Sequence, residues 1–282
     1  MEGVSDPAAG TAITDGTQSF RERLPVSRLA PYVTSVWIQH VPWNAPPYTH
    51  RTVPNGSAEI LCQIDRVPAL IGPQTGPAEY AVAPGTVAVG VRLRPGALAA
   101  VIGIPAVELV DHSVRLDDLW GARAEAIGEL VAHAKSAAAA AAVLEAGMVQ
   151  ALTEDSAPDP AVAEAVRRLQ RGHACDVASL AAAIGMSCRQ LRRRCQAAVG
   201  LPPKPLQRIF RLQRFLAITR RHDVADMNLA LFAVQAGFAD QAHLCREFLR
   251  LTGRSPRTAL HEAAQNCAGL HDHRASDDTL LA

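Results

Sequence analysis

The stretch DVASLAAAIGMSCRQLRRRCQAAVGLPP, residues 176–203, recurs further along as NLALFAVQAGFADQAHLCREFLRLTGRSP, residues 228–256. At an offset of 52 residues, Asp176 matches Asn228, Leu180 matches Phe232, Ala181 matches Ala233 and Gly185 matches Gly237. One residue is added in the second turn and the offset becomes 53. Leu191 then matches Leu244, Arg193 matches Arg246, Cys195 matches Phe248, Gly200 matches Gly253 and Pro203 matches Pro256. Self-similarity of this kind marks one structural unit used twice.

Each copy parses into two helices. Asp176 and Asn228 are N-cap residues whose side-chain oxygens accept free amide protons of the first turn. Behind Asp176, Val177, Leu180, Ala181 and Ile184 recur at i, i+3, i+4 and i+7, one apolar stripe. Gly185 and Gly237 stand where the chain turns sharply, a position that favours positive φ and hence glycine. Ser187 and Gln190 have the spacing of a capping box for the next helix, and Asp240 caps its counterpart. In copy one, Cys188, Leu191 and Cys195 are expected to face inward, with Arg189, Arg192, Arg193 and Gln196 on the opposite side. In copy two, Leu244, Phe248 and Leu251 face inward, and His243, Arg246 and Arg250 face out. Helix, glycine turn, then a helix with a basic outer stripe is the helix-turn-helix pattern. Arginine and glutamine reach base edges in the major groove, arginine pairing bidentately with guanine. A merely solvated basic face is the competing reading of one such stripe; its repetition disfavours that reading.

Between the copies, PKPLQRIFRLQRFLAITRRH predicts one helix over about residues 204–222. Roughly 18 residues at about 1.5 Å each give a rod of about 27 Å. That suits two recognition helices about one DNA turn apart, roughly 34 Å. For Arg208, Arg211, Arg214, Arg220 and Arg221, phosphate contact and intramolecular pairing both stay open.

Charge follows the same division. The formal net charge is +1, yet residues 160–262 hold 17 Lys plus Arg against 7 Asp plus Glu, and the remainder is acidic. A basic domain joined to an acidic one points to a polyanion partner for the basic part alone.

These residues resemble the AraC/XylS family of bacterial transcription regulators over about residues 160–260. The matching text is LAAAIGMSCRQLRRR, VGLPPKPLQRIFRLQR and FAVQAGFADQAHLCREFLRLTGRSP, with its two Gly-x-x-Pro closures and the Ala-x-x-x-Gly-Phe of copy two. Departures are Cys195, His243-Leu244, Leu206 and Leu260, where the family pattern has aromatics. The resemblance implies that both second helices enter successive major grooves. It implies DNA-facing positions at Ser187, Arg189, Gln190, Arg192, Arg193 and Gln196, and at Asp240, Gln241, Ala242, His243, Arg246 and Arg250. Double-stranded promoter DNA is the implied partner, with RNA polymerase, a second copy of the chain and a small-molecule effector as further candidates.

The rest of the 282 residues reads as a second domain. Residues 1–20 are small, polar and without period, and are expected to form a disordered arm. From residue 21, SVWIQHV, AEILCQI, ALIG, EYAV and TVAVGVRLR are short β-prone runs separated by Pro46-Pro47, Asn55-Gly56, Gly72-Pro73 and Pro84-Gly85. Such spacing predicts a small β-barrel or sandwich. Helical text follows near 96–102, 105–110, 122–134 and 137–153. The expected organisation is α+β: an arm over 1–20, a β-rich effector or dimerisation domain over 21–155, an all-α double helix-turn-helix domain over 160–262 and a flexible tail over 263–282. PNGSAEILCQI, LIGPQT, VGVRLRPGALAAVIG and LDDLWG resemble AraC-associated sensor domains, which implies an effector-binding role for this part.

Other chemistry is weaker in the sequence. His40 and His50 have no His-x-His pair or acidic partner at metal spacing, so neither an enzyme, a cofactor nor a metal site is expected. Trp37, Trp43 and Tyr48 read as core or rim packing rather than a ligand cage. The six cysteines show no CxxC pair. Cys62, Cys188 and Cys195 fall where small apolar residues would pack, with a thiol-responsive regulator built on Cys188 or Cys62 as the alternative. No apolar run of spanning length and no signal-peptide pattern is present, so a cytoplasmic protein without membrane attachment is expected.

Overall fold

The computed structural model describes residues 18–46, 48–64, 66–153, 156–172, 176–222, 227–267 and 271–281. Its strands are β1 (Ser19–Arg23), β2 (Val33–His40), β3 (Tyr48–Thr52), β4 (Glu59–Gln63), β5 (Ala69–Ile71), β6 (Ala78–Val82), β7 (Val87–Leu93), β8 (Ser113–Arg115) and β9 (His271–Asp272). Seven form one sheet in the order β8-β5-β4-β7-β2-β1-β9, while β3 and β6 pair separately. Every pairing is antiparallel except that of β9 with β1. Edges β8 and β9 do not meet, so the sheet stays open and no barrel closes.

Alternation along these strands gives the sheet two different faces, because successive side chains point to opposite sides. Val36 and Ile38 of β2 lie opposite Val91 and Val89 of β7, which in turn lie opposite Ile60 and Cys62 of β4. This apolar face packs on helices α1 (Leu98–Ile102), α3 (Ala122–Ala132) and α4 (Ala137–Ala151), with Leu98, Ile127 and Leu144 in a common core. A short helix α2 (Asp117–Trp120) precedes α3. The other face carries Glu22, Trp37, Glu59, Leu61 and Arg92, a polar and aromatic set.

The carboxyl-terminal helices are α5 (Pro160–Gln170), α6 (Val177–Ala183), α7 (Cys188–Val199), α8 (Pro203–Thr219), α9 (Leu229–Gln235), α10 (Gln241–Thr252), α11 (Pro256–Cys267) and α12 (Arg274–Leu281). One core runs through both copies of the repeat and the helix between them. The matched residues Leu180 and Phe232, Leu191 and Leu244, and Cys195 and Phe248 are all buried in it. Phe215 of α8 meets Phe248 edge-on with ring centroids 5.8 Å apart, the geometry aromatic pairs prefer.

Both chain ends differ from expectation. Residues 1–17 lie outside the described residues, but Ser19 and Phe20, assigned to the arm, open β1. The expected flexible tail instead supplies the end of α11, then β9 and α12. β9 extends the sheet beside β1, and α12 packs on α8, β1 and β2. Polar contacts fix it: Arg220 binds Asp277 at 2.5 Å, Arg221 binds Asp278 at 2.8 Å, and Arg92 donates to the Ser276 hydroxyl at 2.8 Å. His273 stacks on Phe20.

Candidate nucleic-acid interface and interior cavity

The caps read from the sequence form as expected. Asp176 accepts from the Ser179 amide, Asn228 from Leu231 and Asp240 from His243. Ser187 accepts from the Gln190 amide while the Gln190 carbonyl accepts from the Ser187 amide, a complete capping box. Gly185 and Gly237 have φ of 69° and 91°. Four orphan donors open each helix, so these caps fix where α7 and α10 begin and hence which side chains stand at their amino ends.

On α7 and its cap, Ser187, Arg189, Gln190, Arg192 and Arg193 are exposed and Gln196 is half-buried. On α10 and its cap, Asp240, Gln241, Ala242, Arg246 and Arg250 are exposed and His243 is half-buried. The His243 ring is partly engaged, since its Nδ1 accepts from the Ala239 amide and its face meets Phe238 edge-on. Leu191, Cys195, Leu244, Phe248 and Leu251 are buried beneath the two stripes. Cys188 is a correction. It was expected to face inward and is exposed, because the first residue of α7 lies beyond the neighbours that cover Leu191 and Cys195.

Intramolecular pairing takes three of the five arginines from Arg208 to Arg221. Arg208 pairs with Glu247 of α10, while Arg220 and Arg221 pair with the tail. Arg214 is buried. Burial first, and the neighbouring Arg211 second, pull its guanidinium below the ordinary arginine range. Two ion pairs escaped sequence reasoning. Arg194 of α7 binds both carboxylate oxygens of Asp159 at 2.6 and 2.7 Å, and Glu247 holds Arg208. Arg194 and Glu247 occupy matched positions in the repeat, which was the available signal.

The polar sheet face borders a cavity of about 420 Å³. Phe20, Trp37, Gln39 and Arg92 line it from the sheet, and His50, Thr52 and Tyr80 from β3 and β6. Gln213 of α8, Arg220 at its C-cap, and His273, Ser276 and Asp277 of the tail add to the wall, with Arg66. Arg92 is half-buried and held by Glu59 at 2.8 Å and Glu22 at 2.5 Å. These carboxylates outweigh desolvation and hold the guanidinium above its usual range. Burial pushes the imidazoles of His50 and His273 down, so both are neutral near pH 7. Trp37 thus belongs to a cavity wall, Trp43 is 83% exposed rather than packed, and the Tyr48 side chain lies outside the described residues.

The amino-terminal domain touches both halves of the helical repeat. A Cβ on Gly200, at the end of α7, would come within 2.6 Å of Val110 and 3.0 Å of the Ala106 carbonyl oxygen. Gln213 of α8 donates to the Pro54 carbonyl at 2.7 Å. Arg51 of β3 reaches Glu262 of α11 at 3.1 Å.

Among the described residues no group of three His, Cys, Asp or Glu could hold a metal ion, and no helix is long and apolar enough to cross a membrane. Cys62 and Cys195 are buried, and burial pushes both thiols up to about 12. Neither is a reactive thiolate at neutral pH.

A family described as a helix-turn-helix domain matches residues 180–262. A family described as a domain of unknown function (DUF6597) matches residues 21–115. No curated protein matches the sequence. Among solved structures, the chain is similar to ToxT from Vibrio cholerae O395, with 9% identity and a TM-score of 0.42 over 77% of this chain and 96% of that one. It is also similar to unsaturated fatty acid bound wild-type ToxT from Vibrio cholerae strain SCE256, with 11% identity and a TM-score of 0.44 over 93% of this chain and 100% of that one.

Proposed function

We propose that the chain is a DNA-binding transcription regulator of the AraC type, in which α7 and α10 of the helix-turn-helix part read an operator under the control of a small molecule held in the amino-terminal cavity. The observation that carries the DNA reading is the pair of exposed stripes, Arg189, Arg192 and Arg193 on α7 and Gln241, Arg246 and Arg250 on α10, each set over a buried apolar side. Their guanidinium groups have no ion-pair partner among the described residues, unlike those of Arg194, Arg208, Arg220 and Arg221. Arg189, Arg192, Arg193 and Arg246 are the base-reading candidates; Ser187, Gln190 and Asp240 hold the helix starts. The family resemblance extends this reading to RNA polymerase and a second copy of the chain as partners, and to the cytoplasm as location.

Control by a small molecule rests on the position of the cavity. Its wall includes Gln213 of α8 and Arg220 at that helix's C-cap, and α8 separates the two recognition helices. An occupant therefore touches the spacer as well as the sensor sheet, and its differential contact with two arrangements is what shifts their populations.

The test is binding by fluorescence anisotropy to an operator recovered by selection from genomic fragments. Arg193→Ala and Arg246→Ala should each weaken operator binding by about 5- to 100-fold and relax sequence preference at the bases they contact. Undiminished preference in both variants overturns the assignment of these stripes.

A further inference from the structure

We propose that the cavity in the amino-terminal domain takes an uncharged, flat, aromatic molecule that offers a carbonyl or ether oxygen to Trp37 and Gln39. This deepens the small-molecule reading above and rests on it.

Three features of the wall define that chemistry. The first is charge balance. Arg92 already holds two carboxylates, Glu59 and Glu22, and the Ser276 amide donates to Glu22 as well. Arg220 holds Asp277, and Arg51 is shared by Glu79 and Glu262. A carboxylate or phosphate ligand set against Arg92, Arg51 or Arg220 would have to displace an internal acid and leave it without its partner, which is costly. Arg66, the remaining arginine of the wall, is exposed to solvent, where an ion pair is worth little. A cationic ligand finds carboxylates already engaged. An uncharged molecule disturbs none of these pairs.

The second feature is two hydrogen-bond donors without an acceptor. Trp37 and Gln39 are each 6% exposed. The indole Nε1 of Trp37 and the amide Nε2 of Gln39 have no hydrogen-bond partner among the described residues. They are two residues apart on one strand and both side chains line the cavity, roughly 7 Å from each other along β2. Buried donors in native proteins are normally satisfied, so a ligand carrying acceptor oxygens completes what the protein leaves open. Indole is a donor only, which fixes the ligand's role at that point as acceptor.

The third feature is flat apolar surface. The Trp37 ring lies over Gly90, where a Cβ would be 2.2 Å from it. Phe20 sits 5.7 Å from Trp37 and 4.9 Å from His273, tilted by 32° and 30°. Phe20, Trp37 and His273 thus gather ring surface on the cavity wall, against which a planar ligand can pack. A cavity of about 420 Å³ lies within the range of small-molecule sites, roughly 300–1,000 Å³.

The experiment measures thermal shift and calorimetric binding on the full chain with three matched probe types. Coumarin, chromone and 2-quinolone are neutral, planar and carry an acceptor oxygen. Naphthalene is neutral and planar without one, and trans-cinnamate carries a charge. At least one of the first set should bind, and more tightly than both naphthalene and cinnamate. Gln39→Leu, or Trp37→Phe, should weaken that binding about 5- to 10-fold, the loss of one hydrogen bond; two variants guard against misfolding of one. Tighter binding of cinnamate, equal binding of naphthalene, or no binding by any of the first set overturns the assignment. Operator binding measured in parallel without any probe tests the regulator reading separately, because that measurement does not depend on the cavity.

Discussion

The two helix-turn-helix copies share a pattern and differ in what holds them. Copy one is pinned from outside. The end of α7 presses on the 3-10 turn Ala106–Leu109 and on Val110, and Arg194 is fastened to Asp159 at the head of α5. Its own core is thin, with the small Cys195 at the central position. Copy two places Phe248 at that position, edge-on to Phe215, and closes with Gly253 near only Pro77, 3.8 Å from a Cβ there. At the next matched site the charge reverses: Arg194 in copy one, Glu247 in copy two, each tying its helix to a different neighbour. Copy two is therefore held mainly through α8, by Phe215 and Arg208, while copy one also presses on the sensor domain. A signal from that domain reaches α7 directly and α10 through α8.

The largest test of this asymmetry lies in the matched core pair. Phe248→Ala should cost about 3–5 kcal/mol in urea unfolding, the usual loss for a buried aromatic. Cys195→Ala removes only a sulfur and should cost about 1 kcal/mol. Comparable losses would mean that copy one is supported by its own core after all.

The closing glycines provide a second, smaller contrast. Gly200 and Gly253 both end a helix with positive φ, 85° and 69°, and a left-handed non-glycine residue costs about 1–2 kcal/mol. Gly253→Ala should cost that alone. Gly200→Ala should cost more, because its methyl would meet Val110 and the Ala106 carbonyl, and it should loosen the sensor domain from α7 in hydrogen exchange around residues 106–110. Equal costs and unchanged exchange would show that α7 is not pressed against that domain.

How much of this was legible depended on the range of the contacts. Caps, glycine turns and the apolar stripes are local, so α6 to α10 could be read from spacing, as could β2, β4, β5, β6 and β7 from β-prone runs bounded by turn residues. The tail could not. Arg274–Leu281 owes its place to Arg220, Arg92 and Phe20, more than fifty residues away in every case. SFRER likewise becomes β1 only through pairing with β2 and β9. Cys188 misled because a helical stripe says which residues share a side but not where the covering neighbour stops. The cavity was invisible for the same reason as the tail: its wall joins β1, β2, β3, α8 and residues 273–277, which no single window of sequence brings together.

The smallest contrast is electrostatic and concerns Asp159, which caps α5 and binds Arg194. Burial alone would raise its carboxyl, but Arg194 and the amides of Val162 and Ala161 hold it below the usual aspartate range. A carboxyl depressed in the folded state stabilises fully above its unfolded value of about 3.9 and loses that contribution as pH falls through the folded value. Asp159→Asn should therefore lower stability by about 1 kcal/mol near pH 7, a cap and a half-exposed ion pair together. The gap between variant and wild type should close as pH drops below about 4. Copy two has Arg208 and Glu247 on α8 and α10 instead, with no cap involved, so Asp159→Asn should leave hydrogen exchange in α10 unchanged while raising it in α5 and α7. If exchange rises equally in both copies, the two are one cooperative unit, and the division into a copy pinned by the sensor domain and a copy held by α8 fails.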